Sequence, residues 1–289
     1  MKNGILYIIL TSVVFTTLEP VSKLIANEIS PMMITFLRFF LGGLILLPFS
    51  ILKIKKQNIR LVKKDYISML LLGILCICVS MVLLQYAVLH SDSPALTAII
   101  FSSNSVFTII FAALILKDRI TPIKVLAVIL CITGVIICAD FKSGTNLISL
   151  ILAVVSALTF SLYTVLSKKL MTKVTGIIQT SFSFLSGSLV LLIVLLCSGD
   201  NSIVNINGGN LVYLIYLAVA VTGIGYWSYF KAMEKASALA ASSVFFIKPI
   251  LTPFAAFFIN DIAPGLNLFI ALVLVLAGSY LSIMVRNKC

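Results

Sequence analysis

Long apolar stretches that recur along the whole chain are the feature that most restricts its fold. A helix needs about 20 apolar residues to cross a bilayer core of roughly 30 Å, and the sequence offers ten such stretches between short polar breaks. Because 61% of the residues are hydrophobic and only 10% are charged, the composition is typical of a multi-pass membrane protein and excludes a soluble globular one. We therefore predict an all-α integral membrane protein with ten transmembrane helices. The predicted spans are 4–26, 31–52, 66–90, 94–116, 122–139, 147–169, 176–198, 210–232, 237–259 and 263–285.

Basic residues are distributed unevenly between the two ends of these spans. If the N-terminus is cytoplasmic, only Lys142 lies in an outside loop, and Lys23, Arg38 and Lys248 lie within spans, so the other 17 of the 21 basic residues are cytoplasmic. The positive-inside rule then predicts that both termini are cytoplasmic in a cell-membrane protein. It also accounts for the formal net charge of +12, so we expect the lipid bilayer as a partner and no nucleic acid.

The sequence also resembles itself at a fixed offset. Residues 105–135 are similar to residues 249–279 at an offset of 144, and residues 15–25 are similar to residues 160–170 at an offset of 145. The chain thus contains two related halves.

The offsets predict two domains, 1–140 and 146–289, with five helices each. Because five is an odd number, the second copy enters the membrane from the opposite side, which gives inverted repeats. Such repeats are typical of secondary transporters, whose binding sites lie near the middle of the bilayer between the halves.

Three segments carry a resemblance to a known family. They are "LRFFLGG" at 37–43, "SVFTIIFAALILKDRIT" at 105–121 and "FFIKPILTPFAAFF" at 245–258. With them the chain resembles the EamA-type transporters of the drug/metabolite transporter superfamily, although Ser105 stands where the family often has Pro. The resemblance implies ten helices, a central cavity between the halves, and export of amino acids or other small metabolites.

Lys248 lies in the middle of the ninth apolar stretch, about 16 Å from its first residue at 1.5 Å per residue. A charge at that depth costs roughly 2.5 to 3.5 kcal/mol, so it usually faces a cavity or a partner. Pro249 leaves the carbonyl of Phe245 without its helical hydrogen bond and places a helix distortion at Lys248. The ammonium therefore binds either these freed carbonyls or an anionic group such as a substrate carboxylate. Its repeat counterpart is Asn104, in a polar run that includes Ser105.

Glu19 and Arg38 flank the first predicted hairpin at equal distances from its turn. Equal depth predicts a direct ion pair between them, with Pro20 loosening the first helix. The pair is interpreted in one of two ways. It either links two helices, or it forms a site in which Glu19 faces the substrate or takes up a proton, and the charge of Arg38 makes that proton uptake less favourable. Lys23 lies closer to the outer end, where it can reach the interface.

Other intramembrane polar residues complete the predicted cavity. Gln85 in the third span and Tyr163 in the sixth are the ones we assign to it. The predicted substrate-binding residues are Lys248, Asn104, Glu19, Arg38, Ser105, Tyr163 and Gln85.

Several kinds of chemistry have no counterpart in the sequence. The single histidine and the six cysteines show no metal-binding spacing, and there is no phosphate-binding Gly-rich loop of an ATP motor. We expect no catalytic residue, metal or cofactor, and a monomer or weak dimer.

The combined features predict a secondary transporter that exports a small polar metabolite, such as an amino acid, by alternating access around a midplane cavity. Two alternatives stay open. One is a multidrug exporter of cations, which would need an accessible carboxylate at the centre. The other is a non-transporting membrane protein, such as a lipid-handling enzyme or an assembly partner.

Overall fold

Helices account for nearly the whole of the described chain. The computed structural model describes residues 2–117, 121–138, 146–170, 174–235 and 244–286. These residues contain no β-strand. The predicted all-α class is confirmed.

Each described α-helix overlaps one of the predicted spans. In the first half, α1 comprises Lys2–Thr16 and Leu18–Ile25, α2 is Pro31–Gln57, α3 is Lys63–His90, α4 comprises Pro94–Ser102 and Asn104–Leu116, and α5 is Pro122–Cys138. In the second half, α6 is Leu147–Leu170, α7 is Gly176–Ser198, α8 comprises Gly208–Ile215, Tyr216–Ile224 and Gly225–Lys235, α9 is Val244–Asn260, and α10 is Leu266–Arg286. The start of the ninth predicted span, at 237–243, lies outside the described residues.

Seven helices in the described part of the chain are long and apolar enough to cross a membrane. They belong to α1, α2, α3, α4, α6, α7 and α8. Shorter apolar segments lie in α5, α9 and α10, at Pro122–Ile137, Ile247–Asn260 and Leu266–Gly278. The chain is therefore a multi-pass membrane protein, and ten crossings remain a prediction.

The ends of α2 show how local sequence sets the helix boundaries. Ser30 precedes the helix in an extended conformation, and its hydroxyl accepts a hydrogen bond from the backbone N–H of Met33 at 3.1 Å. Pro31 occupies the first turn, where its missing N–H costs nothing. Asn58 ends the helix with a left-handed φ of 49°, a conformation that Asn tolerates better than most residues.

Two helices contain π-helical segments at related positions. The segment Ile74–Met81 lies within α3 and the segment Tyr216–Ile224 within α8, the third helix of each half. Their starts are 142 residues apart, because 216 minus 74 is 142, which is close to the sequence offset. In the second segment the hydroxyl of Thr222 donates to the carbonyl of Leu217 at 2.9 Å. Such wide turns occur frequently at functional sites.

Close helix crossings join the two halves. A Cβ added to Gly187 of α7 would lie 2.5 Å from the carbonyl oxygen of Gly73 in α3, and one added to Gly73 would lie 2.3 Å from the carbonyl oxygen of Ser183. Larger side chains at these glycines would push α3 and α7 apart. Small residues at such crossings let membrane helices pack with their backbones in contact.

A loop from each half meets the other at one end of the helices, and we call this the loop contact. The hydroxyl of Ser30 donates to the carboxylate of Asp200, and the backbone N–H of Ser202 donates to the same carboxylate at 2.9 Å. The side-chain amide of Asn210 donates to the carboxylate of Glu28 at 2.8 Å. Partial burial acts to raise the pKa of Asp200, but the hydrogen bonds from Ser202 and Ser30 outweigh it and hold that pKa below its usual value.

Candidate functional site

An ion pair between α1 and α9 lies inside the apolar core. The Lys248 ammonium is 2.5 Å from a carboxylate oxygen of Glu19, and only 6% of Lys248 and none of Glu19 is exposed. The two residues are 229 positions apart and belong to different halves of the chain. Because a charge inside a membrane is costly unless it is paired, each residue makes the other tolerable.

The partner of Lys248 differs from both partners that the sequence suggested. The sequence offered the carbonyls freed by Pro249 or a substrate anion, whereas the described hydrogen bond of the ammonium goes to Glu19. The expected distortion is not seen either, since α9 is continuous through Pro249 and Pro253. The hydroxyl of Thr252 donates to the Lys248 carbonyl at 2.8 Å.

The predicted ion pair between Glu19 and Arg38 is wrong. The Arg38 guanidinium donates instead to the sulfur of Met81 at 3.5 Å and lies 4.4 Å from the ring centre of Phe39. The physical reason is that equal depth does not determine which helices touch. Helix α2 packs mainly against α7 and the π-helical segment of α8, whereas α1 packs against α8 and α9.

Arg38 has unused hydrogen-bonding capacity in a buried position. Only 3% of the residue is exposed, and its Nε and Nη1 have no hydrogen-bond partner among the described residues. Glu19, Tyr226 and Cys76 are close enough to interact with its charge. A guanidinium cannot lose its proton in a protein, so its charge and two donor groups remain available to an anion.

Gln85 joins the same region from α3. Its amide nitrogen donates to the hydroxyl of Ser22 at 3.2 Å, one turn along α1 from Glu19. The Gln85 Oε1 and the Glu19 Oε2 lack hydrogen-bond partners within the described part of the chain. We refer to Glu19, Arg38, Gln85 and Lys248 as the polar cluster. It contains two cations and one carboxylate, so its formal charge is +1.

Asn104 has a local role in α4. Helix α4 is interrupted at Ser103, and the Asn104 amide donates to the carbonyl of Phe101 at 2.8 Å. The Asn104 carbonyl accepts from the hydroxyl of Ser161 in α6 at 2.7 Å. The described contacts of Asn104 include none with Lys248. The Ser105 side chain lies outside the described residues.

An aromatic row connects Lys248 with Tyr163. The Lys248 ammonium is 5.7 Å from the ring centre of Phe101, the Phe101 and Phe160 rings are 5.3 Å apart, and the Phe160 and Tyr163 rings are 5.6 Å apart. A cation near an aromatic face is attracted by the ring quadrupole. Tyr163 thus lies at the far end of the row, close to the side chains of Ser167 and Thr180.

Several neighbours of the polar cluster were not predicted from the sequence. Phe101, Met81 and Ser22 are apolar or small residues in apolar helices, so no single-residue signal marks them. A signal does exist for Phe101, because an offset of 144 relates it to Phe245, one turn before Lys248. Among the described residues, no group of three metal-ligating side chains comes together.

Comparison with known protein families gives one match in both halves. The family is described as the EamA-like transporter family, and it matches residues 2–139 and 147–284. A solved crystal structure has the same fold, with a TM-score of 0.66, 16% sequence identity, and coverage of 100% of this chain and 99% of that one.

The relatives found by sequence come from bacteria and an archaeon. An uncharacterized transporter of Clostridium kluyveri is 33% identical over 297 residues, covering 100% of this chain and 95% of the relative. One from Archaeoglobus fulgidus is 28% identical over 262 residues and covers 90% of each chain. The uncharacterized transporter YyaM of Bacillus subtilis is 26% identical, covering 71% of this chain and 68% of the relative. These names agree with a transporter and with the expectation that the protein is not an enzyme.

Proposed function

Since the chain belongs to the EamA-like transporter family, we propose that this membrane transporter exports a small polar metabolite bearing a carboxylate, such as an amino acid, by secondary transport. The observation that carries the proposal is the polar cluster, a buried group with one more positive than negative charge. An anion that entered it would neutralise the excess charge and occupy the free donors of Arg38. A guanidinium donates charge-assisted hydrogen bonds to a carboxylate in a fixed planar geometry, which gives affinity and orientation together.

The proposed mechanism is alternating access, in which the halves at 1–140 and 146–289 rock around the site as inverted repeats. The ion pair joins α1 of one half to α9 of the other, so a change in the angle between the halves must lengthen or break it. A substrate carboxylate can replace Glu19 at Lys248 if the displaced Glu19 pairs with another cation, and Arg38, whose charge already interacts with that of Glu19, is such a cation. Such an exchange would couple substrate binding to the movement of the two halves.

The proposed topology has ten transmembrane helices with both termini in the cytoplasm of a cell-membrane protein. The loop contact supports it, because the loop after α1 and the loop after α7 lie on the same side in that topology. The basic ends of α2 and α6 lie on the opposite side.

Export of cations is the alternative from the same family. The polar cluster contains one carboxylate, Glu19, and Lys248 already neutralises it. A cation would therefore meet a site with a positive formal charge. A carboxylate-bearing substrate suits the cluster better.

Transport by purified protein tests the proposal. Vesicles containing the protein are loaded with a mixture of the common amino acids, and the efflux of each is measured by mass spectrometry against protein-free vesicles. We expect saturable efflux of a subset of them, its loss in Arg38→Gln, and its retention in Lys23→Gln as the matched control. Efflux of ethidium instead of any amino acid would support the cation exporter, and no flux of either would support a non-transporting protein.

A further inference from the structure

Four buried polar atoms of the polar cluster lack hydrogen-bond partners among the described residues, and they are of two opposite kinds. Nε and Nη1 of Arg38 are donors, whereas Oε2 of Glu19 and Oε1 of Gln85 are acceptors. None of the three residues is more than 3% exposed. Because buried polar atoms nearly always have a partner, the two kinds together describe what a ligand must supply. It must offer acceptors to Arg38 and donors to Glu19 and Gln85.

The unsatisfied donors and acceptors lie on three helices that are in contact. The guanidinium of Arg38 in α2 contacts Met81 of α3, and Gln85 follows Met81 by four residues, which places both on one side of α3. The amide of Gln85 donates to Ser22 of α1, three residues after Glu19. Glu19 and Gln85 are therefore neighbours, and Arg38, whose charge interacts with that of Glu19, lies beside them.

The charges of the cluster suit a molecule that carries both signs. The described bond of Lys248 goes to one oxygen of the Glu19 carboxylate, Oε1, and the other oxygen is the one without a partner. An ammonium at that oxygen and a carboxylate at Arg38 would place positive and negative groups alternately from Lys248 to Arg38. A carboxylate without an amine would satisfy Arg38 and leave the acceptors of Glu19 and Gln85 without donors.

We propose that Glu19 and Gln85 form a subsite for a primary ammonium group of the substrate, while Arg38 binds its carboxylate. This ammonium subsite rests on the proposed function, since it belongs to the same substrate. An ammonium suits two acceptors because it has three donor hydrogens and the opposite charge to Glu19. A hydroxyl in the same place has one donor hydrogen and no charge. The site therefore selects amino acids over the corresponding 2-hydroxy acids.

Matched pairs of compounds test the ammonium subsite in the unmodified protein. Vesicles containing the full-length chain are loaded with equal, subsaturating concentrations of the common amino acids and of their 2-hydroxy counterparts, for example phenylalanine and phenyllactate. The efflux of each compound is measured by mass spectrometry and corrected for protein-free vesicles. We expect each exported amino acid to leave at least about tenfold faster than its 2-hydroxy counterpart, because the loss of a hydrogen bond to a charged group weakens binding by about that factor or more.

The variant Gln85→Met locates the subsite. It removes the uncharged acceptor and keeps the ion pair between Glu19 and Lys248, and we expect the preference for amino acids to fall severalfold. The matched control is Gln179→Met, because Gln179 of α7 is also buried but its amide donates to Ser167 of α6 at 2.6 Å, and this variant should keep the preference. The ratio of the two fluxes is the readout, since a variant that merely loosens the helices reduces both fluxes alike.

Two results would overturn the ammonium subsite and leave the proposed function in place. Equal efflux of amino acids and 2-hydroxy acids from vesicles with the unmodified protein would show that the amine is not recognised. A flux ratio that is unchanged in Gln85→Met, or that falls equally in Gln179→Met, would show that Gln85 does not bind the amine. Efflux of none of these compounds would instead contradict the proposed function, and the ammonium subsite with it.

Discussion

The polar cluster and the loop contact both join the two halves of the chain, but in opposite surroundings. The ion pair of the cluster is buried in an apolar core, whereas the carboxylates of the loop contact are partly solvated and receive hydrogen bonds from neutral groups. Water can replace the partners of Asp200, but in an apolar core it cannot replace those of Glu19 and Lys248. A buried link is thus a strong constraint that only a substitute charge can release, while the loop contact can open and close at little cost.

Removing one charge of the buried pair should have the largest effect. Lys248→Met leaves the Glu19 carboxylate without a partner in the core, and we expect a loss of about 3 to 5 kcal/mol in the free energy of unfolding. Denaturant unfolding in detergent micelles measures it, with Lys23→Met as the control at a partly exposed site. Unchanged stability together with unchanged transport would remove Lys248 from the site.

Removing both charges should restore much of the lost stability. We expect Glu19→Gln combined with Lys248→Met to lie within about 1 to 2 kcal/mol of the unmodified protein, because replacing a whole buried ion pair by uncharged groups is often neutral. A double-mutant cycle with both single variants isolates the coupling. Additive losses would mean that the two charges do not depend on each other.

The sequence indicated which residues are unusual but not which of them meet. The helices overlap the predicted spans because apolar length is a local property. Lys248 and Glu19 were recognised for the same reason, since a charge in an apolar run is visible without a structure. Their pairing depends on which helices of the two halves pack together, and counting residues from one hairpin turn selected Arg38 instead.

Backbone irregularities were predicted least well. Pro249 indicated a break at Lys248, yet α9 continues, and the break lies in α4 at Ser103, where no proline marks it. The π-helical segments also have no compositional signal. Each hydrogen bond of a π-helix spans one residue more than that of an α-helix, and tertiary packing decides where the extra residue is accommodated.

Substitution of Arg38 should affect stability and transport differently. Its free donors are a cost to the folded state, so Arg38→Met should leave stability unchanged or raise it by about 1 to 2 kcal/mol. The same substitution should abolish efflux of carboxylate-bearing substrates from vesicles. Arg38→Lys, which keeps the charge and loses the paired donor geometry, should retain a small part of the efflux. A variant that is both destabilised and active would show that Arg38 serves packing.

The smallest effect should come from the loop contact, and it should depend on pH. Hydrogen bonds hold the pKa of Asp200 below its usual value of 3.8, so the ionised carboxylate stabilises the folded state above that pH. This contribution is lost as the pH falls through the lower pKa of the folded state. Because Asp200 is largely solvated, we expect this contribution to the free energy of unfolding to be less than about 1 kcal/mol.

Asp200→Asn should therefore reduce the melting temperature slightly at neutral pH and by a smaller amount near pH 3. Asp92→Asn is the control, because Asp92 is an exposed carboxylate without a described hydrogen bond, and it should leave the melting temperature unchanged at both pH values. A loss for Asp200→Asn as large as that for Lys248→Met would mean that the loop contact is not the weaker link.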